Sequence, residues 1–300
     1  MWEKLLKDLD NGNIKALARS ISLVENEQEG YESLLQSLPH NETTKIIGIT
    51  GPPGAGKSTL VDSLIGELVE DGKKVAVLCV DPSSPFNLGA VLGDRIRMSD
   101  WYVHPNVFIR SLATRGSMGG LHPKIIEITE LVKAAHFDYI IVETVGVGQS
   151  EIEIAGLADT TVVVVVPEAG DEVQTMKAGL MEIADIFVVN KSDRPDADVF
   201  VKNLRLMLAP AFHNRQHEIP IIKTVGTTKE GIADLYEAIE KQQKLNLTNS
   251  KKTWLLTEKA YYLVQKKRMH TISKIELHKQ IQKLYHQNDF NLYSFVESVI

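Results

Sequence analysis

A chain of 300 residues that is 43% hydrophobic and 24% charged has apolar material for one large buried core with helical additions. Its net charge of −6 lacks the basic footprint that binding to a phosphate backbone leaves, which speaks against nucleic acid as the main partner. The single cysteine, Cys79 in the run VAVLCV, excludes an internal disulfide and points to a reducing compartment such as the cytoplasm. No apolar stretch approaches the roughly 20 residues of a membrane span, and the opening MWEKLLKDLDNGN lacks an apolar leader core.

Residues 1–40 carry a helical period. Leu5, Leu6 and Leu9 are followed by Ile14, Leu17 and Ile21, with Asn11–Gly12 as the break, and Tyr31, Leu34, Leu35 and Leu38 form a third stretch. From residue 41 to about 245 the pattern changes to short runs rich in Val and Ile, separated by amphipathic segments: KIIGIT, KVAVLCV, YIIVET, TTVVVVV, DIFVVN and IPIIKT. Such runs predict an α/β domain with a mostly parallel sheet and helices on both faces. The polar stretch KLNLTNSKK then leads into residues 246–300. There, helical spacing returns through Leu256, Ala260 and Val264 and through Ile275, Leu277, Ile281 and Leu284.

The strand KIIGIT runs into GPPGAGKST, which fits the phosphate-loop pattern GxxxxGK[ST]. Gly51, Gly54 and Gly56 let the backbone curl so that successive N–H groups face an anion, with Pro52, Pro53 and Ala55 between them. The helix that follows aims its positive end at the same place. In this pattern Lys57 reaches the β- and γ-phosphates, Ser58 ligates Mg²⁺, and Thr59 continues the helix. Three acids are candidates for the metal side: Asp81 after VAVLCV, Asp94 in FNLGAVLGDRIRM, and Glu143 at the end of DYIIVE. Strand ends in open α/β sheets face the ligand crevice, and Mg²⁺ needs only one or two carboxylates. Asp81 before Pro82 also reads as a turn former, and Asp94 after Gly93 as a helix N-cap.

The strand DIFVVN continues into Asn190, Lys191 and Asp193 of NKSD. A carboxylate here can accept from the ring N–H and the exocyclic amine of guanine, a donor pair that adenine lacks. Lys191 would cover the ring face and Asn190 would brace the loop. These features together make the chain a GTP-binding hydrolase. In ETVGVGQSE the place after the first glycine, where many small GTPases keep a water-orienting glutamine, is Val147. Slow intrinsic hydrolysis is the expectation, with a partner or a mobile segment completing the site. Asp171, Gln174 and Lys177 in AGDEVQTMK read as a candidate switch or as an ordinary solvated helix start. Arg97 and Arg115 read as phosphate or partner sensors, or as plain ion-pair residues.

The strings GPPGAGKST, VDPSSP, LGDRIRM, TRGSMGGL, ETVGVGQSE, GDEVQTMK and NKSD occur in this order. In that set the chain resembles the methylmalonyl-CoA-mutase-associated GTPases (the MeaB/ArgK/MMAA group) of the SIMIBI class of P-loop GTPases. The resemblance covers residues 1 to about 243. It implies a homodimeric, Mg²⁺-dependent GTPase that chaperones an adenosylcobalamin-dependent acyl-CoA mutase, gating cofactor delivery and protecting or reactivating the enzyme. By motif it places Lys57, Asp81, Asp94, Glu143, Gln174, Lys177 and Arg97 in catalysis or switching. It also assigns residues 246–300 the character of a dimerisation extension. The last guanine loop, often rich in Ser and Ala in the family, reads TVGTTKEG here. Two other functions share the P-loop: a SIMIBI metallochaperone, which needs clustered ligands although the nine histidines are scattered, and a kinase of a small molecule or transport system, which rarely needs guanine selectivity.

Overall fold

The computed structural model describes residues 1–81, 98–114, 121–144, 150–169, 183–212, 218–245, 250–269, 272–285 and 290–299. The chain divides into two compact units, Met1–Lys252 and Thr253–Ile300. No described helix is long and apolar enough to cross a membrane.

The first unit opens with α1 (Trp2–Asp10), α2 (Ile14–Glu25) and α3 (Tyr31–Gln36). The Asn13 side chain caps α2, its Oδ1 accepting from the Lys15 and Ala16 amides at 3.0 and 3.1 Å, which satisfies two otherwise orphan donors. Leu17, Ile21 and Val24 form the buried stripe of α2.

The sheet follows: β1 (Lys45–Thr50), α4 (Lys57–Glu70), β2 (Val75–Asp81), β3 (Val107–Ala113), α5 (Ile125–Lys133), β4 (Tyr139–Glu143), α6 (Ser150–Leu157), β5 (Thr160–Val165), β6 (Ile186–Asn190), α7 (Ala197–Phe212), β7 (Ile221–Thr224) and α8 (Ile232–Leu245). Its seven strands lie in the order β3-β2-β4-β1-β5-β6-β7, and every pairing is parallel. The mostly parallel α/β architecture read from the sequence is the one observed. Strands β2, β4, β5 and β6 are buried along their whole length, as expected for strands covered on both faces. Strand β1 sits at the centre, where the chain order reverses, so its carboxyl end is the crevice in which such sheets hold ligands.

One face of the sheet carries Leu60, Leu64 and Leu68 of α4 and Ile232, Leu235 and Ile239 of α8, packed on Ile47, Ile49, Val77 and Ile141. Burial of each such side chain contributes roughly 1.5–3 kcal/mol. On β1, a Cβ at Gly48 would stand 2.6 Å from Ile154 Cγ1 and 2.9 Å from Ala158 Cβ, so this glycine permits α6 to lie directly on the central strand.

Strand β3 is absent from the six runs read in the sequence. It is an edge strand whose middle, Ile109–Ser111, is only half-buried, so it lacks a continuous apolar signal. Its Arg110 is instead paired across the fold: Nη2 donates to Glu25 Oε2 at 2.5 Å and to Ser22 Oγ at 3.1 Å, which fixes α2 to the sheet edge. Nearby, Lys124 Nζ lies 2.9 Å from Glu27 Oε1 and 3.2 Å from Tyr31 Oη. Burial works against the charge of Lys124. Its bonds to Glu27 and Tyr31 and the charge of Glu127 outweigh that and raise its pKa.

The second unit holds most of α9 (Ser250–Arg268), then α10 (Lys274–Tyr285) and α11 (Leu292–Val299). Phe295 is buried there, and Phe290 makes ring contacts at 6.0 Å with both Tyr285 and Phe295. Trp254, Tyr261, Tyr262, Val264, Ile275 and Tyr293 are exposed.

Candidate nucleotide site

Strand β1 ends at Thr50 and the chain turns through residues 51–56 into α4. The turn needs glycine at three places: Gly51, Gly54 and Gly56 have φ of +140°, +76° and +86°, a region L side chains rarely adopt. Two of the three are also closed by neighbours. A Cβ on Gly51 would stand 2.0 Å from the Val164 carbonyl oxygen, and one on Gly56 would stand 2.4 Å from Asn190 Nδ2. Pro53 and Gly54 form the exposed lip, whereas Ala55, Lys57 and Ser58 are buried.

Lys57 opens α4 with its ammonium folded over the loop. Nζ donates to the carbonyls of Gly51 and Pro52 at 2.9 and 3.1 Å. The cation is thus held at the mouth of the turn by weak acceptors that an incoming anion outcompetes, since charge-assisted bonds are roughly twice as strong as neutral ones. Thr59 lies two residues further along the same helix.

Ser58 Oγ donates to Glu143 Oε1 at 2.7 Å. Glu143 pairs in register with Cys79 of β2 and with Ile49 of β1, so it shares their face of the sheet, the face toward α4. Asp81 lies two places beyond Cys79 on that same face. Asp81 and Glu143 are each 4% exposed. The end of β4 is tied to β1 as well: Thr144 N–H donates to the Ile49 carbonyl at 3.0 Å and Thr144 Oγ1 to Thr50 Oγ1 at 2.9 Å. Among the described residues no group of three or more His, Cys, Asp and Glu gathers as a metal cluster. The donor set at Ser58 is nonetheless suited to Mg²⁺, which prefers oxygen and keeps several waters. A hydroxyl whose proton is turned to Glu143 presents its lone pairs elsewhere.

The Asn190–Asp193 segment meets the phosphate loop directly. Asn190, 2% exposed, donates from Nδ2 to the Ala55 carbonyl at 2.9 Å. Its Oδ1 accepts from Thr224 Oγ1 at 3.1 Å and from the Gly226 amide at 3.2 Å. Lys191 takes a left-handed φ of +57°, a strained choice for a non-glycine residue, and its Nζ donates to the Gly54 carbonyl at 2.7 Å. Asp193 is exposed. On the next residue, the Arg194 guanidinium pairs with Glu168, and that bond holds the Glu168 carboxyl below its ordinary range.

The structure therefore brings Gly51–Thr59, Glu143, Asp81, Asn190 and Lys191 to one end of the sheet. Asp94, Arg97, Arg115, Val147, Gln149, Asp171, Gln174 and Lys177 lie outside the described residues. Sequence reasoning missed Ser63 and the bracing by Thr224 and Gly226. Ser63 gives no signal because a serine on an amphipathic helix reads as solvent-facing, yet it is 3% exposed.

The chain is similar to several known proteins. Residues 17–280 match the family described as Methylmalonyl Co-A mutase-associated GTPase MeaB. A chain from Pyrococcus horikoshii, provisionally named a GTPase, is 49% identical over 246 residues, spanning 81% of this chain and 78% of that one. The mitochondrial methylmalonic aciduria type A homolog of Caenorhabditis elegans is 40% identical over 207 residues, or 64% of this chain and 52% of that protein. A solved structure described as an LAO/AO transport system kinase superposes with a TM-score of 0.68 at 25% identity, covering 99% of this chain and 95% of the other. With the family match spanning most of the chain and a relative at 49% identity, the chain belongs to the methylmalonyl-CoA mutase-associated (MeaB) family of P-loop GTPases.

Proposed function

We propose that this GTPase binds GTP with Mg²⁺ and uses its hydrolysis to gate the loading of an adenosylcobalamin-dependent acyl-CoA mutase, and to protect or reactivate that enzyme. The observation that carries the nucleotide half of this reading is the direct bonding of Asn190 and Lys191 to the carbonyls of Ala55 and Gly54. It puts a candidate base reader and a phosphate cradle on one rigid frame. Gly51, Gly54, Ala55 and Gly56 present their N–H groups to the phosphates, Pro52 and Pro53, which have no N–H, shape the loop between them, and Lys57 exchanges its carbonyl partners for the phosphates. Ser58, with Asp81, Glu143 and Asp94, would hold Mg²⁺, which when bound neutralises charge developing on the phosphate oxygens. Asp193 accepts from guanine while Lys191 covers its face. Arg97, Gln174 and Lys177 respond to the partner.

The mutase half draws its support from the family description and the name of the nematode relative. The exposed apolar residues of α9–α11 support assembly as a homodimer. The lone thiol, Cys79, is buried and in no disulfide, which suits a reducing cytoplasm. The test is turnover of GTP by the chain alone and with an adenosylcobalamin-dependent methylmalonyl-CoA mutase. Slow release of inorganic phosphate alone and at least roughly tenfold faster release with the mutase is the expected result. Equal rates would remove the mutase role, and phosphate appearing on an acceptor rather than free would favour the transport-kinase alternative.

A further inference from the structure

The turn after β7 is gripped from two sides. Gly226 donates its N–H to Asn190 Oδ1 at 3.2 Å, and its carbonyl accepts from Ser63 Oγ at 2.6 Å. Both polar groups of one buried glycine are thus held by side chains from two different elements, β6 and α4. Ser63 has an acceptor in its own helix, the Thr59 carbonyl at 3.2 Å. The shorter bond shows that its proton is directed out of the helix and onto the turn. Thr59 supports the same residue: its Cγ2 lies 3.4 Å from where a Cβ on Gly226 would stand. The neighbouring loop is stitched alongside, since Ser192 N–H donates to the Thr224 carbonyl at 3.1 Å.

A trans peptide is planar, so fixing the Gly226 carbonyl also fixes the Thr227 N–H, which points the opposite way. The residues that follow, Thr227–Glu230, are exposed. The boundary between buried and exposed backbone therefore falls at this one peptide plane, within the turn that Thr228 N–H closes onto the Val225 carbonyl at 3.1 Å, beside Asn190–Asp193.

We infer that Ser63 is a positioning residue for guanine selection: its hydroxyl fixes the Gly226–Thr227 peptide beside the base-reading loop. The helix that begins at the phosphate cradle then also sets a wall of the base site. This rests on the assignment of Asn190–Asp193 as the base reader. Without the hydroxyl, the buried Gly226 carbonyl loses its donor, and the peptide is left to the turn bonds of Val225 with Thr228 and Glu230, which do not fix the tilt of that carbonyl. The P-loop backbone itself, held by Asn190 and Lys191, keeps its bonds.

The experiment is calorimetric titration of the full chain with GTP, ATP and inorganic tripolyphosphate, each with Mg²⁺. Ser63→Ala is expected to weaken GTP roughly three- to tenfold while ATP and tripolyphosphate keep their affinities, so the preference for GTP narrows. If Ser63→Ala proves insoluble, Ser63→Cys, which keeps a side chain of similar shape but offers only a weak S–H donor, is expected to narrow the preference in the same way. An unchanged preference would overturn the inference. So would an equal loss for all three ligands, which would make Ser63 a support of the phosphate loop only. Asp193→Asn, titrated in parallel, separates the two readings. If it abolishes the preference and Ser63→Ala does not, only the role of Ser63 fails; if it too leaves the preference intact, the base-reader assignment fails.

Discussion

In the first unit, Leu60, Leu64 and Leu68 of α4 and Ile232, Leu235 and Ile239 of α8 disappear into a shared core with the sheet. In Thr253–Ile300, Trp254, Tyr261, Tyr262, Val264, Ile275 and Tyr293 stand exposed, and Phe295 is the buried large apolar side chain among the described residues. A unit that buries its apolar surface is complete without a neighbour, whereas one that displays it is built to be covered. The proposed nucleotide site and the proposed assembly face fall on opposite sides of this contrast. The nucleotide-facing groups, from Lys57 and Ser58 to Glu143, Asn190 and Lys191, are bonded to one another within Met1–Lys252. Substitutions in one unit should therefore leave the property of the other untouched.

The largest effect is expected from Lys57→Ala. It removes the one cation that the loop carbonyls of Gly51 and Pro52 hold at the cradle. GTP affinity should fall by roughly a hundredfold or more, with the oligomeric state in sedimentation unchanged. A GTP affinity that survives would break the phosphate assignment. A change in oligomer would break the separation of the two units.

The reciprocal test is Tyr261→Glu combined with Val264→Glu. These exposed residues lie one turn apart on α9, so two carboxylates there put like charge onto any face the pair forms with a second copy. The expected outcome is a monomer in sedimentation velocity, with GTP affinity kept to within about twofold. An unchanged dimer would move the interface elsewhere, and a coupled loss of GTP binding would mean that the base or phosphate site is completed by assembly.

How far the sequence reveals each part follows from how local its cause is. The phosphate loop is legible because its φ requirements fall on three glycines within six consecutive residues, Gly51, Gly54 and Gly56. Five of the six runs are legible because burial on both faces enforces unbroken Val and Ile, and the sixth, IPIIKT, forms the half-buried edge strand β7 yet keeps a short Ile run. Strand β3 is not, because at a sheet edge the requirement relaxes and Arg110 enters the strand. Its partner Glu25 is 85 residues away, beyond any local pattern. Glu143 could be picked out as an acid ending an apolar strand, but its bond to Ser58 spans another 85 residues. The 163-residue separation of Ser63 and Gly226 hides the hold on the turn after β7 for the same reason. Asp81, at a strand end, was legible as an acid on the crevice, whereas its second reading as a turn former turned on Pro82, outside the described residues.

The smallest effect concerns a seam inside the first unit, where it tests whether that unit's stability is its own. Tyr236 of α8 donates to Asp71 Oδ2, just past the end of α4, at 2.9 Å, and packs edge-on against Tyr139 at 6.3 Å. The Tyr236 hydroxyl and then Lys73 hold the Asp71 carboxyl below its ordinary 3.8. Burial, and then the bond to Asp71, push the Tyr236 hydroxyl well above its ordinary 10.0. A depressed carboxylate stabilises the fold above its unfolded value and loses that contribution as pH falls through its folded value. A raised phenol contributes fully below its unfolded value and loses its contribution as pH climbs toward its folded one. Tyr236→Phe should therefore melt lower than the parent by about one to two degrees near neutrality. The difference should be flat between about 4 and 10 and should shrink on both sides. The loss should be equal in the parent background and in the Tyr261→Glu, Val264→Glu background. A difference that grows or vanishes when the second unit is altered would mean that the α4–α8 seam is read by assembly, and that the two units are thermodynamically one.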